Sequence, residues 1–210
     1  MTTQEPTTAA PAPAAPTFGL GIADPAGLGL AGFAATTFFL SAVNAGWINA
    51  SAEGVVLGLA LFYGGIAQLL AGMWEFSKGN SFGAVAFSSY GAFWLSFWYL
   101  VAHTDLSKAS AHDANHGVGL YLFIWTIITA YLMIASLRTN TVVATVFVLL
   151  TLTFLALAIG AWTGKAPGVG LSKVGGYLGL LTAIAAWYGS FAIVTNYTFK
   201  KVVLPVGPLG

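Results

Sequence analysis

The 210-residue sequence has no cysteine, which excludes disulfides, thiolate metal sites and thiol chemistry and leaves the redox compartment open. Charge is almost as scarce: seven basic and six acidic residues make up 6% of the chain, for a net charge of +1. A water-soluble domain carries about 25% charged residues, so these cannot cover a surface that faces water all round. No basic patch exists to neutralise phosphates, and a nucleic-acid partner is excluded. Nor is there a nucleophile–base pair or a glycine-rich phosphate loop, so neither an enzyme nor a bound cofactor is expected. What fills the chain instead is apolar: 58% hydrophobic residues and a mean hydropathy of +0.84. The sequence reads as an integral membrane protein, with the lipid bilayer as its main partner.

Six apolar runs of about 20 residues, the length a helix needs to cross hydrocarbon, fall at 28–48, 54–76, 82–101, 117–137, 142–162 and 176–197. They are continuously apolar, without the alternation of barrel strands, so helices are expected. The fold class is therefore all-α, with six transmembrane helices. Residues 1–17 are rich in Pro, Ala and Thr, lack a basic n-region and an apolar core, and read as a disordered tail before a membrane domain over 18–210. An even number of spans puts both termini on one side. Lys78 and Arg138, on short loops at helix ends, favour that side being cytoplasmic. The spacing G-x-G-L-x-x-F-x-x-T occurs at Gly27–Thr36 and again at Gly117–Thr126. Two halves of three helices must point opposite ways, so a 3+3 inverted repeat is expected, with chance similarity in a Gly- and Phe-rich chain as the alternative.

Within the spans, polar residues are few and ordered. Gln68 and Glu75 are seven residues apart, close to two turns, and leave the second helix on one face with Gly64 and Gly72 on or beside it. On the first helix Phe33, Thr37, Ser41 and Asn44 form one stripe, and Ser89 and Tyr90 sit mid-way along the third. Interhelical glue accounts for such groups in a bundle; so does the lining of a narrow conduit, because an amide in hydrocarbon needs a partner.

The stretch FYGGIAQLLAGMWEF, followed by KGN, F-G and SSYGAFW, resembles the acetate uptake transporter family, also called succinate–acetate permeases (GPR1/FUN34/YaaH). The likeness runs from about Ala23 to a closing segment in which Lys201 precedes Val203-Leu204-Pro205-Val206-Gly207. The family's Asn-Pro-Ala-Pro-Leu-Gly-Leu motif appears here as Asp24, Pro25, Ala26, Gly27, Leu28, Gly29 and Leu30, with Asp24 replacing Asn and Gly27 replacing the second Pro. By residue chemistry, Asp24 before Pro25 suits a helix N-cap; a proton-relay role is the rival reading. The resemblance implies a homohexamer with cytoplasmic termini in the cell (plasma) membrane. It also implies a pore in each protomer, narrowed at Phe33, Tyr90 and Leu150. Bundle core is the competing reading of those three.

The candidate lining offers hydroxyls, amides and aromatic faces but no Arg or Lys in any expected span, so an arginine clamp for a carboxylate is absent. A small methyl carboxylate fits both halves of that chemistry. Its apolar end passes Phe and Leu, and its polar end bonds to Thr, Ser, Tyr and Asn. Residue chemistry alone reaches a small polar or weakly acidic solute; the resemblance implies acetate and similar short acids, succinate among them, carried by a channel-like or proton-coupled route. Two rivals stand: a conduit for another small solute such as ammonia, and a non-transporting sensor built on His103, His112 and His116. No metal site is expected, because that histidine-rich loop fits a solvated segment as easily.

Overall fold

Each of the six apolar runs folds as a helix, in a computed structural model that describes residues 21–209. The tail expected over 1–17 lies outside the described residues. The helices are α1 Ala26–Asn44, α2 Ala50–Lys78, α3 Ser81–His103, α4 Ala111–Ser136, α5 Thr141–Trp162 and α6 Gly170–Phe199. The only β pairing among the described residues is an isolated bridge between Asn140 and Pro208. At 1.5 Å per residue even α1, the shortest, is about 28 Å long, enough to cross the hydrocarbon. This is a multi-pass membrane protein.

Side chains set the helix ends. Asn80 Oδ1 accepts from Gly83 N at 3.2 Å and opens α3, Ser110 Oγ accepts from Asp113 N at 3.1 Å and opens α4, and Asn140 Oδ1 accepts from Val143 N at 2.9 Å and opens α5. Gly79, at φ +79°, closes α2 in the left-handed conformation a side chain resists. Asp24 acts one residue earlier than expected. Pro25 is the cap residue itself, and the Asp24 carboxylate accepts from the first helical N–H, Ala26, at 3.0 Å. Its other partner is Lys78 Nζ at 3.0 Å, at the end of α2. α6 begins at Gly170, earlier than the apolar run, and so carries Lys173 in its first turn; the spans are not free of lysine.

Consecutive helices pack as neighbours round a ring, α1 against α2 and α6, α2 against α3, α4 against α5 and α5 against α6, while α3 and α4 barely touch. This gives α1–α2 a counterpart in α4–α5, and α2–α3 one in α5–α6, but α1–α6, the most extensive contact, has none, since its counterpart would be α3–α4. The glycines of the sequence echo meet unlike neighbours, however. Gly29 lies against Phe87 and Gly119 against Trp162, whereas no atom approaches the position of a Gly117 side chain. At these glycines the sequence repeat has no matching contact.

Aromatic residues from α1, α3 and α5 fill the centre of the ring. Phe33, Phe87, Tyr90, Phe93, Trp94, Phe147, Leu150 and Phe154 belong to one buried cluster. The outer faces of α4 and α6 stay apolar and exposed, with Leu120, Ile124, Ile127, Leu181, Ile184 and Phe191 pointing outward, as lipid contact requires. In α2 the residues Leu59–Ala67 wind as a π-helix, a wider turn often found at functional positions. After α6 the chain doubles back: Thr141 N donates to Gly207 O at 2.7 Å and Tyr188 Oη to Pro205 O at 2.7 Å, strapping the C-terminal segment across the start of α5.

Candidate transport path

Spacing of four, four and three residues brings the α1 stripe to one side of the helix, and that side faces a cavity of about 370 Å³. Phe33, Thr37, Ser41 and Asn44 all line it, with Leu150, Thr153 and Phe154 of α5 across from them. Phe93 and Trp94 of α3 and Tyr121 of α4 complete the walls. Most wall hydroxyls have their donors placed: Thr153 Oγ1 donates to Leu149 O at 2.8 Å, and Tyr121 Oη exchanges a 2.8 Å hydrogen bond with Ser96 Oγ. Thr37 Oγ1 is a buried hydroxyl without a partner. Such a group is ready to bond a guest at little reorganisation cost.

The deep end is largely aromatic. Phe33 and Leu150, both almost fully buried, line it, and the Tyr90 ring packs on Phe33 at 5.6 Å between centroids. Tyr90 itself does not line the cavity. Its hydroxyl donates to Thr129 Oγ1 of α4 at 2.9 Å, which in turn donates to Trp125 O at 2.7 Å. The structure thus brings Phe33, Tyr90 and Leu150 into one cluster from three helices.

Three polar residues expected in the lining stand elsewhere. Gln68 and Glu75 are fully buried on α2, away from the cavity walls, and Ser89 is half-buried on α3, also outside them. A polar helix face looks the same in sequence whether it meets a hole or a neighbouring helix. Of the motif before α1, Leu28 points outward, Leu30 joins the buried core and Gly29 admits the Phe87 ring; none of Asp24, Pro25, Ala26, Leu28, Gly29 and Leu30 touches the cavity.

The cavity mouth holds charges that the span-by-span reading missed. Glu53, at the start of α2, and Lys165, in the α5–α6 loop, both line it, with Asn115 beside them. Lys165 is held by its backbone, whose N–H donates to Gly160 O at 2.9 Å and whose carbonyl accepts from Ser172 Oγ at 2.8 Å. Gly164 and Gly168 take φ of +65° and +81° and turn this loop back over the bundle, where Gly168 N donates to Asn44 O at 2.9 Å. The clustered glycines in Gly164-Lys165-Ala166-Pro167-Gly168 were the available signal. The three histidines do not line the cavity, although Asn115 between His112 and His116 does. His112 and His116 stack with ring centroids 3.9 Å apart on the exposed start of α4, and no metal-holding group of three gathers among the described residues.

Set beside known proteins, this arrangement has relatives. The GPR1/FUN34/yaaH family model matches residues 7–210. The succinate-acetate/proton symporter SatP of Escherichia coli (strain K12) is 38% identical over 186 residues, covering 89% of this chain and 96% of that protein. Acetate permease A of Emericella nidulans is 38% identical over 195 residues, with 88% of this chain and 65% of that one covered. Ammonia transport outward protein 2 of Saccharomyces cerevisiae is 40% identical over 190 residues, with 87% and 66% covered. The chain therefore spans just under two thirds of the length of these two fungal relatives. A solved structure of the bacterial acetate channel SatP matches with a TM-score of 0.79 at 37% identity, covering 89% of this chain and 100% of that one. This chain belongs to the GPR1/FUN34/yaaH family.

Proposed function

We propose that the protein carries acetate and similar short carboxylic acids, succinate among them, across a membrane through a path in each protomer. The observation that carries the reading is the junction of a hydroxyl-lined cavity with an aromatic floor, Thr37 and Ser41 above Phe33 and Leu150. The cavity volume of about 370 Å³ leaves ample room for a two-carbon acid with its water. Hydrated inorganic ions find nothing at the apolar floor to replace their water, whereas a small carboxylate, charged or protonated, exchanges its water for the wall hydroxyls on the way to it. Lys165 at the mouth draws carboxylates inward, and Glu53, which also lines the cavity, limits how strongly they are held. Phe33, Tyr90 and Leu150 form the constriction, with Tyr90 bracing Phe33 from behind.

The likeness to SatP and acetate permease A supports acetate as the substrate and a transporter rather than an enzyme. A homohexamer in the plasma membrane, with cytoplasmic termini and a 3+3 inverted repeat, is proposed with it. The rival conduit for ammonia, already open from the sequence, draws support from the name of the yeast relative. Radiolabelled acetate flux into vesicles separates the two. Competition by unlabelled acetate and propionate, with indifference to ammonium, is the expected result; competition by ammonium alone would favour the rival.

A further inference from the structure

Gln68 and Glu75 are fully buried yet do not serve the cavity. Neither polar atom of Gln68 has a partner, nor has Glu75 Oε1, Ser88 Oγ or Trp94 Nε1. So many orphaned groups along one helix seam need a physical reason.

The packing register puts them in order. α2 and α3 run antiparallel, with Gly64 against Trp94, Gly72 against Ser88, and Gly83 of α3 against Glu75. Along the seam the sequence is therefore Trp94, Gln68, Ser88, Glu75, each three or four residues of α2 from the last. That is a rise of about 5 Å per step and about 16 Å in all. Steps of this size are too long for direct hydrogen bonds and suit one bridging water each, held by two or more polar groups. One end of the column is Trp94 in the cavity wall. At the other, Glu75 Oε2 accepts from Asn80 Nδ2 at 2.8 Å, beneath the Asp24–Lys78 ion pair at the surface.

We propose that this seam is a proton branch parallel to the substrate path, with Glu75 as its carrier. It rests on the acid-transport reading above. An acid in the cavity gives its proton to the first water of the column, and Glu75 Oε1 receives one from the last. Ser88, which both donates and accepts, passes the proton, while Trp94 Nε1 and Gln68 orient the waters, and the two waters held by the Gln68 amide hand the proton to each other directly. The carboxylate that remains moves past Phe33 and Leu150, and Glu75 releases its proton at the Asn80 end. One proton and one carboxylate thus cross in the same direction by separate routes. The charged groups facing Glu75 are Asp24, before α1, and Lys78 on its own helix; α3 presents only uncharged Asn80 and Gly83 there.

The test uses vesicles holding the full-length protein and a trapped pH dye, corrected against protein-free vesicles. With equal acetate on both sides no net proton need move, and Glu75→Gln should exchange radiolabelled acetate within about twofold of wild type, while net acetate entry with its proton falls roughly tenfold or more. Ser88→Ala should lower net entry in the same sense and also keep exchange, which certifies its fold. After an acid step without acetate, wild-type vesicles should acidify faster than Glu75→Gln vesicles. Equal net entry and equal acidification in wild type and Glu75→Gln would overturn the proton branch. Wild-type protein that exchanges no acetate would instead overturn the transport reading, and the acetate-free acid step would still judge the branch.

Discussion

The ring of Phe33 on α1 lies 5.6 Å from that of Tyr90 on α3, tilted by 56°, and Tyr90 is fixed in turn by its hydroxyl on Thr129 of α4. The floor of the cavity is thus braced by three helices, and only the Phe33 and Leu150 side chains of the constriction face the space above. Removing the ring that faces the cavity should alter selectivity, whereas removing the brace should alter stability.

Phe33→Ala is expected to admit larger acids such as butyrate severalfold faster, at a cost of about 3 kcal/mol in stability. Relative uptake of acetate, propionate and butyrate reads the first effect and thermal unfolding in detergent the second. Unchanged uptake of all three acids would reduce Phe33 to core packing.

Tyr90→Phe keeps the ring and loses the hydrogen bond to Thr129, whose own hydroxyl keeps Trp125 O as acceptor. The expected loss is about 1 kcal/mol, with size selectivity unchanged. A changed order of preference among acids would mean that the hydroxyl itself meets the substrate.

Asp24→Asn restores the residue expected from the family motif and leaves an oxygen to accept from Ala26 N–H. It breaks the ion pair with Lys78, whose side chains are 34% and 39% exposed, so solvent screening limits the loss to under about 1 kcal/mol. Transport should persist. Complete loss of flux in a folded protein would give Asp24, rather than Glu75, the proton-carrying role.

Lys165→Gln should raise the KM for acetate by roughly twofold to tenfold, with kcat little changed, and the difference from wild type should shrink at high salt. Initial rates at two ionic strengths measure it. An unaltered KM at low salt would remove Lys165 from substrate capture.

Substitution of His103, His112 and His116 by Ala should leave acetate flux intact, since all three side chains are exposed at helix ends and none lines the cavity. Loss of flux with normal assembly would move the function to that segment.

Much of this was legible in the residues, and the exceptions have physical causes. Continuous apolar runs of the right length marked all six helices, because lipid imposes length and composition together. The stripe Phe33, Thr37, Ser41 and Asn44 was legible because helical period alone decides which side chains share a face. Gln68 and Glu75 share a face too, but the period cannot tell whether that face meets a hole or a helix; the glycines Gly72 and Gly83, which bring α2 and α3 together, decided for the helix. Lys165 escaped a reading by spans because it reaches the cavity from a loop, turned back by glycines whose joint effect is a matter of three-dimensional closure.

The central claim is that acetate passes the floor made by Phe33 and Leu150. The most direct measurement is radiolabelled acetate exchange in vesicles holding Leu150→Trp, compared with wild type. A bulky ring in that floor should block exchange while the purified protein remains folded and assembled. Exchange at the wild-type rate through the filled floor would contradict the account.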